Sequence, residues 1–195
     1  MEEIRGKKGE MRNNISKTFS KLSANNISEK TKNIEKRLFE FANFIEAKTS
    51  LLYINSAYEV VTKYILERCF DYNKTVILPS FNAEMQKITL LKVDNLKTGL
   101  KRGEKGIMEP DTSKCKIVPI EYIDIAIIPG FAFDEKGGRV GSGDGLYDRL
   151  IPILPVTTRK VGLAYESQIV QHVPMESHDK HVDIIITENR IIYKI

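Results

Sequence analysis

The sequence predicts an α/β fold with a parallel strand pair, and three observations carry that expectation. In the first third, apolar residues recur in steps of three and four, at Ile15, Phe19 and Leu22 and again at Ile34, Leu38, Phe41 and Ile45. That is the period of an amphipathic helix. From Leu51 the pattern changes to short apolar runs bounded by breakers, first at 51–54 and then at 75–78 before Pro79, as expected of buried strands. Between those two runs Val60, Val61, Tyr64, Ile65 and Leu66 have helical spacing. A strand, helix, strand succession implies two parallel strands joined by a crossover.

The two N-terminal helices are separated by a stretch of turn and cap formers at 23–28, with Ser28 the expected start of the second helix. Further strands are expected at 88–93, 123–128, 160–165, 182–186 and 190–193, several apolar on consecutive positions and so covered on both faces. Residues 95–117, with Gly99, Gly103, Gly106 and Pro110 among charged side chains, read as a long surface loop that reaches an active site. No internal repeat or linker divides the chain.

With 195 residues, 42% of them hydrophobic, a single domain over 1–195 can bury a core without staples or metals. Cys69 and Cys115 lie far apart and match no metal or redox spacing, so a disulfide framework is not expected and a reducing compartment fits. Residues 1–21 are charged throughout and lack an apolar stretch, which leads to the expectation of a cytoplasmic protein with no membrane partner. The net charge of +4 is spread over 30 basic and 26 acidic residues. This mixing favours a small anionic ligand over nucleic acid, for which no recognised module is visible.

The most informative segment is the apolar run at 123–128, then Pro129, Gly130 and Phe131, and then Arg139-Val140-Gly141-Ser142-Gly143-Asp144-Gly145-Leu146-Tyr147-Asp148-Arg149. Alternating glycines let backbone approach a bulky anion, and free amides where a helix begins near Gly145 point donors toward it. Such a run also serves as a plain connection in α/β proteins, so the spacing alone leaves both readings open. Its neighbours favour the first. Arg139 and Arg149 supply fixed positive charge for phosphate oxygens, and Asp148 offers the hard carboxylate oxygens that magnesium prefers. Either arginine could instead be a solvated surface charge, the commoner fate of such residues, and Asp148 could simply pair with one of them.

This segment resembles the signature of the 5-formyltetrahydrofolate cyclo-ligase family, in which P-G-x-x-F-D leads into R-x-G-x-G-x-G-x-Y-D. Lys8-Gly9-Glu10-Met11-Arg12 is similar to the family's K-x-x-L-R, Gly106 to Pro110 to G-I-x-E-P, and Gly162 to Gln168 to G-x-A-x-x-x-Q. His178-Asp179 and the run Val182, Asp183 to Thr187-Glu188 resemble the closing H-D-x-x-V-D-x-x-x-T-E. Five motifs in the same order are far more specific than any one of them.

The resemblance implies a three-layer α/β/α sandwich with a mostly parallel sheet, similar to the sugar-phosphate isomerase and CoA-transferase group. It implies a reaction in which ATP phosphorylates the formyl oxygen of 5-formyltetrahydrofolate, a neighbouring nitrogen closes the ring, and phosphate leaves to give 5,10-methenyltetrahydrofolate, with magnesium as cofactor. It places Lys8, Arg12 and residues 139–147 at ATP, Asp148 and Asp183 at the metal, and Glu59 at the pterin ring, with Ile54, Glu109 and Tyr147 lining the same cleft. Arg149 and Tyr147 are the expected catalytic pair, and Gln168 at most braces a loop. A monomer is expected.

Three positions depart from the family pattern, one of them Leu146, which replaces the usual tyrosine beside Tyr147. Ser142 and Asp144 stand between glycines where relatives carry aromatic, basic or other non-acidic residues, and an acid in a phosphate turn repels the ligand unless it points to solvent or binds the metal. A nucleotide- and folate-binding paralogue without turnover is therefore the alternative, with an isomerase or transferase sharing only the architecture behind it. His172, His178 and His181 fall within ten residues but match no zinc spacing, so bracing roles are expected.

Overall fold

A computed structural model describes residues 2–82, 87–103 and 106–194. The chain opens with three helices, α1 (Glu2–Phe19), α2 (Ala24–Glu40) and α3 (Ala42–Glu46). Helix α2 begins earlier than Ser28: the Ser23 hydroxyl accepts the amide of Asn26 at 3.2 Å and so caps the helix five residues upstream. It buries Thr31, Ile34, Leu38 and Phe39. The extended backbone of Phe41 then separates it from α3 and leaves Ile45 on the surface.

Strand β1 (Thr49–Leu51) and helix α4 (Lys63–Asp71) lead to β2 (Thr75–Asn82), and β1 and β2 pair in parallel as the crossover argument requires. Strand β3 (Lys87–Val93) returns antiparallel to β2. Residues 95–117 are not a structureless loop. They hold a two-stranded hairpin, β4 (Leu100–Arg102) with β5 (Met108–Pro110), and an edge strand, β6 (Lys116–Ile117). Cross-strand backbone bonds satisfy this charged segment where apolar burial cannot, which is why hydropathy alone missed the strands.

The remaining elements are β7 (Ile125–Ile128), β8 (Ala132–Asp134), β9 (Arg139–Val140), α5 (Leu146–Leu150), β10 (Arg159–Leu163), β11 (Ile169–Val170), β12 (Ile184–Ile186) and β13 (Ile191–Tyr193). Eight strands form one sheet in the order β13-β12-β10-β7-β1-β2-β3-β6, with the five from β12 to β2 parallel. A smaller sheet, β11-β8-β9, stands beside it.

Consecutive residues of the central strands bury on opposite faces. Ile125 and Ile127 of β7 join one core with Ile34, Phe44 and Ile65, whereas Ala126 and Ile128 join another with Phe133, Leu150 and Leu154. This explains the unbroken apolar runs, since both faces are covered. The layers are unequal. Helices α2, α3 and α4 cover the first face, and the second is covered by the short α5, single helical turns and Phe133 of the small sheet. Helix α1 packs on that small sheet, with Ile15 buried against Ala132, Val140 and Val173. No described helix is long and apolar enough to cross a membrane.

The topology also locates a site. From β1 the chain moves outward through β2, and from β7 it moves the other way through β10 and β12, so β1 and β7 meet where the strand order reverses. Beyond the carboxyl ends of such a pair the connecting loops diverge and leave a crevice suited to ligands.

Candidate active site

The crevice is occupied by a cleft of about 780 Å³. Glu59, from the loop after β1, and Pro129, directly after β7, lie at its base, and the segment from Arg139 to Arg149 forms one wall. Helix α1 supplies the opposite wall, because Arg5, Lys8 and Arg12 recur at three- and four-residue spacing on the face it turns toward the cleft.

The glycine turn takes its shape from backbone only glycine tolerates well. Gly143 has φ +108° and Gly145 has φ +65°, the latter at the cap position of α5. Gly141 makes room for Arg139: a Cβ there would lie 2.5 Å from its Nη1, so the guanidinium would have to shift. Arg12 reaches over from α1 and its Nε donates to the carbonyl of Gly141 at 2.8 Å. Burial and the neighbouring charge of Arg139 lower the Arg12 guanidinium from its ordinary value, against the pull of Asp148 and Asp179.

Arg139 is buried, its Nη2 donating to Asp148 at 2.7 Å and its Nη1 to the carbonyl of Pro129 at 3.2 Å. Its Nε has no hydrogen-bond partner among the described residues. Arg149 lies at the exposed end of the same wall, stacked over Phe81 at 4.6 Å and donating to the carbonyl of Asp144 at 3.1 Å. The Asp144 side chain is exposed at the lip of the cleft, where Ser142 donates to it at 3.4 Å. It does not fill the turn.

At the other end, Glu59 is buried and its Oε2 accepts the amide of Ser56 at 2.7 Å. Burial lifts its carboxyl above the ordinary range, while Ser56 and the charge of Arg139 oppose that lift. Tyr147 faces the same space, and burial with the charge of Glu59 raises its phenol. The cleft thus has a cationic half built from α1 and the glycine turn, and a drier half with one carboxylate.

Three residues expected here lie elsewhere. Asp183 stands at the amino end of β12, away from the strand ends that open on the cleft, and accepts the amide of Lys160 at 2.9 Å and its ammonium at 3.3 Å. Glu109 is in the β4–β5 hairpin, 3.7 Å from Lys101. Ile54, in the loop after β1, is partly buried against the core. Conversely, Arg5, Glu176, His178 and Asp179 line the cleft without having been singled out for it. Lys8 pairs with Asp179 and, at 3.2 Å, with Glu176, while Asp179 also accepts the amide of Glu176 at 2.6 Å. Possible ligand atoms of Glu176, His178 and Asp179 lie within 4.8 Å of one another. His172 is apart from them, beside Asp134 at 3.8 Å. The motif pair His178-Asp179 was the signal for this group.

Comparison with known proteins decides the family. A family model described as the 5-formyltetrahydrofolate cyclo-ligase family matches residues 4–188. The chain belongs to that family. It is 29% identical to the 5-formyltetrahydrofolate cyclo-ligase of Haemophilus influenzae over 179 residues, 89% of this chain and 93% of the relative. It is also 29% identical to a probable 5-formyltetrahydrofolate cyclo-ligase of Schizosaccharomyces pombe, covering 97% of this chain and 98% of that one. Among solved structures it superposes on the 5,10-methenyltetrahydrofolate synthetase of Aquifex aeolicus with a TM-score of 0.83 at 30% identity, over 95% of this chain and 92% of that one. The cyclo-ligase fold therefore covers almost the whole chain, and the mixed sheet with its parallel centre is the family's own.

Proposed function

We propose that this cyclo-ligase family member converts 5-formyltetrahydrofolate to 5,10-methenyltetrahydrofolate with consumption of ATP and release of ADP and phosphate. The observation that carries the proposal is the two-ended cleft at the strand switch point. One end gathers Lys8, Arg12 and Arg139 around a glycine turn, and the other presents Glu59. Phosphoryl transfer asks a protein mainly to align two substrates and neutralise charge, and these residues do that.

In this reading the amides of 141–145 and the guanidinium of Arg12 hold the nucleotide phosphates, and the buried guanidinium of Arg139, fixed by Asp148 and the carbonyl of Pro129, adds positive charge beside the transferring group. Glu59, as carboxylate, accepts two adjacent N–H donors of the pterin ring. Tyr147, between the two ends, packs against the reacting formyl group and keeps water out. Arg149 acts at the outer edge of the turn. The formyl oxygen attacks the terminal phosphorus as the bond to ADP breaks, and the neighbouring nitrogen then adds to the formyl carbon. The carbon–oxygen bond to phosphate breaks last, and the nitrogen loses its proton to solvent.

Magnesium fits the carboxylates that face the nucleotide end. Asp148 and Asp179 both act on Arg12 electrostatically, and each offers the hard oxygen such an ion prefers. Bound there, magnesium would neutralise phosphate charge. Asp179 takes the place of Asp183 in this role because it lines the cleft, whereas Asp183 stands at the amino end of β12. The protein is expected to act as a cytosolic monomer on small molecules.

The test is a turnover assay. Purified protein with ATP, magnesium and 5-formyltetrahydrofolate should generate the near-ultraviolet absorbance of the methenyl product, and folded protein giving no product above a blank would refute the activity. Asp144 at the lip of the turn favours one second reading, binding without turnover. Calorimetric titration showing ligand binding with no ADP formed would support it, with Asp144→Gly as the variant expected to restore turnover.

A further inference from the structure

Glu59 is presented by a loop whose backbone is under strain. Its neighbour Tyr58 has φ +67°, a left-handed conformation that a bulky side chain rarely adopts. Such a conformation persists only where surrounding contacts over-determine it. The aromatic ring supplies some of them, edge-on to Phe19 at 5.7 Å and to Phe131 at 5.8 Å. The backbone contact comes from Gln168.

Gln168 is 1% exposed, and every atom of its amide is committed. Its Oε1 accepts the amide of Tyr165 at 2.8 Å, which fixes the orientation of the group. Its Nε2 then faces carbonyls alone: Tyr58 at 2.7 Å, Phe131 at 3.0 Å and Gly130 at 3.5 Å. One side chain therefore ties the loop after β1 to the loop after β7 across the switch point. The segment carrying Gln168 is itself anchored. The Tyr165 hydroxyl meets Thr31 of α2 at 2.8 Å, and Glu188 accepts the amide of Glu166 at 2.7 Å.

We propose that Gln168 is a positioning residue for the folate end of the cleft: by holding the carbonyl of Tyr58 it keeps that residue left-handed and Glu59 aimed into the crevice. This rests on the function proposed above and assigns a role to a residue that touches no substrate. The selectivity follows from geometry. The shortest bond of Gln168 holds the loop after β1 beside Glu59, whereas the loop after β7 is also tied to the turn segment by the Phe131 amide on the Val140 carbonyl at 2.7 Å and by Arg139 on Pro129 at 3.2 Å, so the loss of Gln168 should move the folate site and leave the nucleotide site anchored. Leucine in its place fills similar volume and donates nothing, and glutamate turns an acceptor oxygen toward three carbonyls.

Steady-state kinetics on Gln168→Leu and Gln168→Glu test it. The expected result is a KM for 5-formyltetrahydrofolate raised about ten- to a hundredfold, as small displacements of an aligning group produce, with the KM for ATP within about twofold of wild type. If leucine and glutamate prevent folding, Gln168→Asn, one methylene shorter, loses the reach to Tyr58 and should show the same split. A folate KM unchanged in an active, folded variant overturns the inference, as does an equal rise in both KM values. Wild-type protein without methenyl product instead sinks the function and is distinguishable from either.

Discussion

Arg139 holds Asp148 through a 2.7 Å contact between Nη2 and Oδ1, joining β9 to α5 across the glycine turn. The arginine side chain is 2% exposed and the aspartate 22%, so the pair is only partly desolvated and worth less than a fully buried one. Arg139→Met should cost about 2 kcal/mol of stability, because Asp148 and the carbonyl of Pro129 lose a donor together. Turnover should fall at least about a hundredfold. Denaturant titration and the methenyl assay measure the two effects separately. A variant of wild-type activity would remove Arg139 from the site.

The two aspartates near the end of the chain should behave oppositely. Asp179→Asn is expected to weaken the magnesium dependence of turnover, seen as a right-shifted magnesium titration, because Asp179 lines the cleft. Asp183→Asn should keep kcat and magnesium affinity near wild type and lower only the melting temperature, through the lost contacts with Lys160. The reverse pattern would return the metal role to Asp183.

Asp179 also makes an acid-stability prediction. Burial alone would raise its carboxyl, but the bond from Lys8 and the amide of Glu176 prevail and hold it below the ordinary 3.8. A depressed carboxyl contributes stability that is present above its unfolded value and is lost as pH falls through the folded one. Wild type should therefore lose stability more steeply than Asp179→Asn below about pH 4, as read by melting temperature across a pH series.

Glu59 has the opposite sign. Burial raises its carboxyl above the ordinary 4.5, so its contribution is fully present below that value and is lost as pH rises through the folded one. Glu59→Gln should melt higher than wild type near neutral pH, with the advantage shrinking on acidification. It should also raise the KM for 5-formyltetrahydrofolate and leave that for ATP little changed. Greater stability with poorer binding is the signature of a strained functional carboxylate.

Glycine substitutions should separate strain from clash. Gly143→Ala introduces a Cβ with nothing closer than Arg12 at 3.8 Å, yet at φ +108° it costs about 1–2 kcal/mol in local strain. The KM for ATP should rise, and stability should fall by no more than that strain, since the Cβ meets no packed neighbour. Gly141→Ala places Cβ 2.5 Å from Arg139 Nη1. It should disturb the Arg139–Asp148 pair and cost stability as well, which parallel melting curves would show.

Much of the site was legible because its signals are local. The run from Arg139 to Arg149 carries its glycines, cations and carboxylate within eleven consecutive positions, and Lys8 and Arg12 share a helix face by spacing alone. What could not be read locally was convergence. Asp179 and Asp183 sit in one motif four residues apart, and only the path of the chain shows that the first passes the cleft while the second has turned into β12. Gln168, expected at most to brace a loop, braces two, and which two could not be read because its three carbonyl partners lie 37 to 110 residues away.

The sequence by itself determined the alternation of elements, the parallel crossover and, through five motifs in order, the family, since hydrophobic period and motif order are written in neighbouring side chains; the glycine turn it left open between an anion site and a plain connection. Only the tertiary structure decided which carboxylates share the cleft, that residues 95–117 form strands, and that Tyr58 is held left-handed beside Glu59. Those outcomes depend on backbone bonds and burial between segments distant along the chain, and no local pattern of residue types records them.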